Sequence, residues 1–295
     1  GDNVYSDQNI PNVLGITTKA VKMCVLPDWN KKIAYAMRRY WDVNLEILLG
    51  LSKKEDLSRE KHTSAHIIGA QLSGPIFYGY IEWIISISKK KNIKNLYFLA
   101  RDGYLLKKMA DIIIEEEGLY IRTKYVYSSR KAWKVDDEEN RLKVRSYVNQ
   151  ELEFSENDFA FVDLQGTGAT MSFLSNIIGK PISVFYFYLL ENKTNESTTK
   201  YIYSSVKGRS IIEALCRAPH GMTLGYKIEE GRWLPILEEE YLLQRQVEVL
   251  NEYVTGATEF VKSVCGYQKK YGIKLNIEKY GEFYLDYIAE SPSKE

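Results

Sequence analysis

Cysteine and histidine are scarce in this chain, with three of each among 295 residues. The cysteines Cys24, Cys216 and Cys265 lie far apart and form no CxxC pair. This spacing argues against a disulfide framework and against a thiolate zinc site, both of which need cysteines in characteristic sets. We therefore expect a protein of a reducing compartment such as the cytoplasm.

An excess of charge of one sign is also missing. The 40 Lys and Arg residues nearly balance the 39 Asp and Glu residues, which leaves a net charge of +1. Nucleic acids and membrane surfaces attract proteins with a surplus of positive charge, so neither partner is expected. Hydrophobic residues make up 45% of the chain and charged residues 27%, as in a globular protein with ample core.

A hydrophobic run suited to crossing a membrane is missing as well. The most apolar segment, HIIGAQLSGPIFYGYIEWIISIS at 66–88, carries Gln71, Pro75 and Glu82 near its middle. A carboxylate in the lipid core is costly, so the segment predicts a buried helix that runs from about 63 to 91 and is kinked at Pro75. The chain is therefore not expected to be transmembrane.

What the chain does contain is an alternation of strand-like and helix-like segments. Apolar runs of strand length occur at 95–100, 125–128, 159–164 and 182–190. Helical patterns lie between the first pair and between the last pair, and a hairpin pattern with its turn at 230–231 follows. This order predicts an α/β fold: a mostly parallel sheet with helices on both faces, a helical N-terminal annex and a helical C-terminal end. The predicted segments are 1–20, 21–92, 93–236 and 237–295.

Three polar loops follow these predicted strands: ARDGYLL, SSRKAW and DLQGTGAT. Ligands of parallel sheets bind outside the carboxyl ends of the strands, so we expect the loops to meet there. Glycine lets backbone N–H groups point at an anion, and arginine matches phosphate oxygens. Together the loops predict a site for a ligand with more than one phosphate group. Taken singly, GTGAT also fits a tight turn, and Arg101-Asp102 also fits a local ion pair or a helix cap.

The order of these loops resembles that of type I phosphoribosyltransferases. More closely, LYFLARDGYLLKKMA, YVYSSRKA, FVDLQGTGATM and RAPHGMTLGY resemble the module that follows a haloacid-dehalogenase (HAD) domain in bacterial surface-polysaccharide enzymes. That module is a glycosyltransferase that uses phosphoribosyl pyrophosphate (PRPP) to add 5-phosphoribofuranose to a glycan. The resemblance covers most of residues 1–235. It implies a type I phosphoribosyltransferase-like fold, PRPP as donor, a glycan acceptor, Mg²⁺ as cofactor and association with a membrane-bound polysaccharide assembly complex.

The resemblance also implies roles for the loop residues. The expected pyrophosphate ligands lie in the first two loops and are Arg101, Asp102, Gly103, Arg130 and Lys131. Asp163 would orient the ribose, and the third loop would cradle the 5-phosphate. Its expected donor-binding residues are Gln165, Gly166, Thr167, Gly168, Ala169 and Thr170. The expected catalytic residues are Arg101, Asp102 and Asp163.

The third loop departs from that of the nucleotide-synthesis enzymes, which carry further acids there. Val162 and Gly166 occupy two of the acid positions, so the usual loop base is missing. We expect Asp102 to be the base for the acceptor hydroxyl, with Glu213 and His220 as weaker candidates. The expected acceptor contacts are Glu213, His220 and Trp133. For the tryptophan, core packing is the alternative interpretation.

The opening stretch, GDNVYSDQNIPNVLGI, resembles the last motif of HAD phosphatases, in which two aspartates hold Mg²⁺. Asp2 and Asp7 match that pair. The nucleophile of those enzymes lies in a DxDx[TV] motif, which this sequence lacks. Residues 1–20 are therefore expected to be a remnant with a vestigial metal site. Two other functions stay open: a HAD-type phosphatase completed by a partner segment, and a non-catalytic module that binds a sugar phosphate or a nucleotide.

Overall fold

Five runs rich in aromatic and β-branched residues form a parallel sheet in the computed structural model, which describes residues 4–18, 43–54, 62–152, 158–204, 209–239, 244–278 and 280–281. The strands are β1 (Asn95–Leu99), β2 (Arg122–Val126), β3 (Phe159–Gly166), β4 (Ile182–Leu189) and β5 (Thr198–Ser204). Their order across the sheet is β2-β1-β3-β4-β5, and every neighbouring pair is parallel. The predicted α/β fold class is thereby confirmed.

The two edge strands are the ones that the sequence locates poorly. The first three residues of β2, Arg-Thr-Lys, lie outside the apolar run at 125–128, and β5 carries the sequence TTKYIYS and is not predicted. Both strands pair on one side only in this sheet, and most of their positions are exposed or only partly buried. Polar side chains are tolerated at such positions, so the apolar signal is weaker there.

Helices connect and flank these strands. A π-helix (Tyr5–Asn9) leads into α1 (Ile10–Val13). The remaining helices are α2 (Val43–Ser52), α3 (Ser64–Ile68), a π-helical turn (Gly69–Ser73), α4 (Gly74–Lys91), α5 (Gly103–Glu116), α6 (Arg130–Trp133), α7 (Glu138–Glu151), α8 (Ala169–Ile178), α9 (Arg209–Leu215) and α10 (Gln244–Tyr271). None of the helices in the described part of the chain is long and apolar enough to cross a membrane.

Helices cover both faces of the sheet, as predicted. On one face, α4, α5 and α10 pack against Phe98 and Val162. On the other face, α6, α7 and α8 pack against Tyr97 and Phe161. Successive residues of a strand point to opposite faces, so both faces must be apolar, and the strands read as continuous apolar runs. Because α4 and α10 share one core with the sheet, the predicted annex and C-terminal segment both contribute to that core.

The predicted helix at 63–91 is present, with a π-helical turn instead of a simple kink at Pro75. Thr63 caps its start, since its side-chain oxygen accepts a hydrogen bond from the His66 amide at 3.2 Å. The π-helical turn ends at Ser73, directly before Gly74 and Pro75. A π-helical turn accommodates one extra residue per turn, which fits a helix interrupted ahead of a proline.

Two glycines bring this helix and α10 into backbone contact. A Cβ at Gly69 would collide with the carbonyl oxygen of Tyr253, and a Cβ at Gly256 would collide with the carbonyl oxygen of His66. The close crossing therefore requires glycine on each helix. It fixes the first half of α10 beside the end of α3.

The predicted hairpin is also present, as β6 (Thr223–Glu229) and β7 (Arg232–Leu237). Its two turn residues, Glu230 and Gly231, have φ values of 50° and 77°, as a type I′ turn requires. Tyr226 attaches the hairpin to the domain, because its hydroxyl donates to the Tyr127 carbonyl at 2.8 Å and its ring stacks on Tyr147. Asp2 falls outside the described residues, as do residues 240–243, 279 and 282–295 of the predicted C-terminal segment.

Candidate active site

The three predicted loops meet at the carboxyl ends of β1, β2 and β3. A cavity of about 160 Å³ is lined by residues that follow each of these strands: Ala100 after β1, Ser128, Ser129 and Arg130 after β2, and Asp163, Gln165, Gly166, Thr167, Gly168 and Thr170 at the end of β3 and beyond it. Parallel strands all present their carboxyl ends at one edge, so three loops distant in sequence become neighbours. We call this cavity the cradle cleft.

The third loop forms the floor of the cradle cleft. Gly168 has a φ of 80°, and a Cβ there would collide with Thr194, so glycine is required. Gly166 differs, because a Cβ there would make only ordinary contacts, 3.6 Å from Asp163 Oδ2 and 3.8 Å from the Gly168 nitrogen. The missing side chain therefore leaves an open space between a carboxylate and the first turn of α8. The N-terminal end of a helix attracts anions such as phosphate.

Asp163 places a carboxylate at the edge of this space. Its Oδ1 accepts a hydrogen bond from the Leu164 amide at 2.9 Å. Burial and the neighbouring charge of Asp102 raise its pKa to about 7, against the opposing effects of the Leu164 N–H and the Arg130 guanidinium. A carboxyl group that titrates near neutral pH inside a cleft is typical of functional sites.

Tyr186 is a cleft residue that the sequence analysis missed. It lies opposite Asp163 in the β3–β4 register and is 1% exposed. Its hydroxyl is buried and has no hydrogen-bond partner within the described residues. An unsatisfied buried hydroxyl costs about 1–3 kcal/mol, so a ligand that accepts a hydrogen bond from it would offset this cost. The sequence signal is the tyrosine itself, which lies between two phenylalanines in the buried run VFYFYL.

Arg101 and Asp102 lie beside the cradle cleft and line a second cavity of about 840 Å³. Burial and the neighbouring Glu213 raise the pKa of Asp102 to about 6, while Arg101 lowers it. We call this space the helix cavity, because α3, α9 and α10 form most of its wall. Its lining residues are Ala65, Ile68, Arg101, Asp102, Glu213, Ala214, Leu215, Cys216, Arg217, Ala218, Arg245, Gln246, Val249, Leu250 and Tyr253.

A hydrogen bond joins the walls of the two cavities. The Gln165 side-chain amide, which lines the cradle cleft, donates to the carboxylate of Glu213, which lines the helix cavity. Asp102 in the helix cavity raises the pKa of Asp163 in the cradle cleft, which shows that the two carboxylates interact. The two spaces are therefore adjacent.

His220 lies near this site with both ring nitrogens engaged. Its Nδ1 is 2.9 Å from the Gly221 carbonyl oxygen, which can only accept, so Nδ1 carries the proton. Its Nε2 then accepts from the Tyr125 hydroxyl at 2.8 Å in the neutral ring. His220 lines neither cavity.

The other predicted site residues divide between the cleft and the rest of the structure. Gly103 is packed against β1, where a Cβ would come within 2.9 Å of the Phe98 backbone, so packing explains this glycine. Trp133 is 0% exposed and donates from Nε1 to the Tyr226 hydroxyl. Trp133 also lines the cradle cleft, and its expected contact with the acceptor stays a prediction.

Three further predicted residues lie outside both cavities. Lys131 is exposed and lines neither space. Ala169 begins α8 beside the cradle cleft, and its amide donates to Thr167 Oγ1 at 3.4 Å. Asp7, in the π-helix near the start of the described residues, accepts a hydrogen bond from the Ser6 hydroxyl at 3.3 Å.

Comparison with known proteins adds no family to this description. No family model and no curated protein matches the chain.

Proposed function

We propose that this protein transfers a 5-phosphoribosyl group from PRPP to a hydroxyl of a surface-polysaccharide acceptor, with release of pyrophosphate. The observation that carries the proposal is the cradle cleft. It combines the N-terminal end of α8, a buried carboxylate at Asp163 and an unpartnered hydroxyl at Tyr186. Phosphate and polyhydroxyl groups on one small ligand would use all three. We place the reaction in the cytoplasm, at a membrane-bound assembly complex.

We place the donor in this cleft with its 5-phosphate at the α8 end and its pyrophosphate toward the arginines. The 5-phosphate would lie over Gly166 and the first turn of α8, where backbone N–H groups and the helix dipole favour an anion. The ribose hydroxyls would donate to Asp163. The pyrophosphate would then point toward Arg130 in the cradle cleft and Arg101 in the helix cavity, since guanidinium groups bind phosphate oxygens well.

The transfer step follows from this placement. The acceptor oxygen attacks the anomeric carbon of the ribose, and the bond from that carbon to the pyrophosphate oxygen breaks. The electron pair leaves with pyrophosphate, whose growing charge the arginines stabilise. The hydroxyl proton passes to the Asp102 carboxylate. With a pKa of about 6, this group is mostly ionised at pH 7 and is still basic enough to take a proton.

The residues present also fit Mg²⁺ brought in with the donor. Mg²⁺ is commonly held by one or two carboxylates together with substrate phosphates, rather than by a cage of protein ligands. The described residues contain no cluster of three or more metal ligands, but Asp163 is a carboxylate whose pKa is raised by burial and by the charge of Asp102. Asp163 would hold the ion together with phosphate oxygens of the donor, and the ion would neutralise charge on the diphosphate.

Calorimetry with PRPP tests the proposal, with AMP, NAD and UDP-glucose as competitors and with or without Mg²⁺. We expect PRPP to bind best. Gly166→Ala should weaken PRPP binding at least about tenfold, because its Cβ fills the cleft while the protein itself accommodates it. Gly225→Ala, whose Cβ meets open space on β6, is the matched control and should bind normally.

Two results would contradict the proposal. One is tighter binding of AMP, NAD or UDP-glucose than of PRPP. The other is PRPP binding without pyrophosphate release in the presence of hydroxyl acceptors, which would indicate the non-catalytic binding module instead.

A further inference from the structure

The helix cavity is larger than the cradle cleft and has a different lining. One side is aliphatic, with Ile68 from α3 and Val249 and Leu250 from α10. Ile68 and Val249 are 43% and 50% exposed, so apolar surface remains accessible there. This surface lies next to the proposed base, Asp102, which lines the same cavity.

Some charged side chains of this cavity interact with other described residues, and others do not. The charge of Arg101 lowers the pKa of Asp102, and Glu213 accepts a hydrogen bond from Gln165. Arg217, just beyond α9, and Arg245, near the start of α10, are exposed and form no hydrogen bond or ion pair with the described residues. Each acid therefore interacts with a neighbouring residue, whereas the two guanidinium groups have no partner among the described residues.

We propose that the helix cavity binds the acceptor, and that the acceptor carries an anionic group, a carboxylate or a phosphate, held by Arg217 and Arg245 while its apolar part lies on Ile68, Val249 and Leu250. This inference rests on the proposed function, because that function makes Asp102 the base for the acceptor hydroxyl. The hydroxyl to be modified faces Asp102, and the anionic group lies farther from the cradle cleft. Guanidinium groups bind carboxylate and phosphate through paired hydrogen bonds, which would make a neutral glycan a poor acceptor.

Two small glycosides can test the cavity itself. Hexyl β-glucuronide and hexyl β-glucoside share their sugar frame and alkyl chain and differ in one carboxylate. By calorimetry, the glucuronide should bind at least about tenfold more tightly than the glucoside. Inorganic phosphate alone should bind more weakly than the glucuronide, because it leaves the aliphatic wall uncovered.

Substitutions then assign the effect to residues. In the double variant Arg217→Gln/Arg245→Gln, the preference for the glucuronide should disappear. Lys262→Gln, which removes an exposed cation from the same helix α10 but outside the cavity, should leave it intact. All three proteins should melt at the same temperature, because the substituted side chains are exposed.

Three outcomes would overturn the inference: equal binding of the two glycosides by the wild type, retained preference in the double variant, or inorganic phosphate binding as tightly as the glucuronide. PRPP calorimetry on the same samples separates this inference from the proposed function. The double variant should bind PRPP like the wild type. If the wild type bound no PRPP but kept the arginine-dependent preference, the donor assignment would fail and the anion site would stand.

Discussion

Asp163 and Tyr186 lie opposite each other on neighbouring strands, and each has a polar group that burial penalises. The carboxyl of Asp163 has a raised pKa, and the hydroxyl of Tyr186 has no partner in the described residues. Phenylalanine would fill the position of Tyr186 without this penalty. A ligand that accepts from the hydroxyl explains why the penalty is tolerated, and this explanation can be tested at single side chains.

Tyr186→Phe should leave stability unchanged or raise it by about 1 kcal/mol, because it removes an unsatisfied buried hydroxyl. The same variant should bind PRPP roughly ten- to a hundredfold more weakly, since a hydrogen bond to a charged ligand is worth about 1.5–3 kcal/mol. Chemical denaturation and PRPP calorimetry measure the two effects.

Tyr147→Phe is the matched control for this prediction. The Tyr147 hydroxyl accepts a hydrogen bond from the Tyr127 amide at 3.1 Å, so its loss should lower stability and leave PRPP affinity unchanged. If Tyr186→Phe behaved like this control, the hydroxyl of Tyr186 would have a structural role and no ligand.

Asp102→Asn should reduce pyrophosphate release about a hundredfold or more while PRPP affinity changes little, because a general base contributes about 10²–10⁴ to the rate.

In the wild type, kcat/KM should rise with pH and level off above about 6–7, as the carboxyl of Asp102 loses its proton. Glu213→Gln removes a negative charge that raises the pKa of Asp102, so the rise should move to lower pH. An unchanged pH profile in Asp102→Asn would assign the base to another residue.

At the scale of elements, the sequence predicts those strands, helices and turns that depend on a local pattern of residues. The central strands β1, β3 and β4, the helices α5 and α8 and the hairpin turn all carry clear periodicity or turn residues. The edge strand β5 lacks an apolar run, and α6 and α9 are too short for a helical period. The meeting of the three loops could be predicted because parallel strands share one edge. The helix cavity could not, since it depends on how α3 and α10 cross.

That crossing gives a prediction for the helices. Gly256→Ala should destabilise the protein by about 1–3 kcal/mol, because the new Cβ would collide with the His66 carbonyl and force α3 and α10 apart. Gly266→Ala is on the same helix, and its Cβ meets nothing within 4 Å, so it should stabilise by about 0.5–1 kcal/mol through helix propensity. Urea denaturation measures both, and a stabilised Gly256→Ala protein would show that the helices do not cross this closely.

At the scale of the whole molecule, the same strands form part of the two hydrophobic cores and also carry the site, and these two roles require side chains of opposite polarity. Packing on both faces requires apolar side chains, which the sequence shows as continuous runs. The site requires polar groups at the ends of these runs, and the resulting burial raises the pKa values of Asp102 and Asp163. The position of Asp163 near the end of a predicted apolar strand identified it from the sequence, but its electrostatic coupling to Asp102 depends on strand order across the sheet.

The raised pKa values predict how the stability of the ligand-free protein changes with pH. Both carboxyls bind protons more tightly in the folded state, near pH 6 and 7, than in the unfolded chain, near pH 3.8. The folded state therefore holds more protons between about pH 4 and 7, so these groups make the free energy of unfolding fall as pH rises through that window and leave it level above.

Asp163→Asn removes one of these two groups and should stabilise the ligand-free protein relative to the wild type. The gain should be close to zero at about pH 4 and should grow to on the order of 1–3 kcal/mol at pH 8, since one pKa unit corresponds to about 1.4 kcal/mol. Urea denaturation across this pH range, without Mg²⁺ or PRPP, measures the difference. The same variant should bind PRPP roughly ten- to a hundredfold more weakly. A gain independent of pH would mean that Asp163 titrates normally, and a loss of stability with intact PRPP affinity would make it a structural residue.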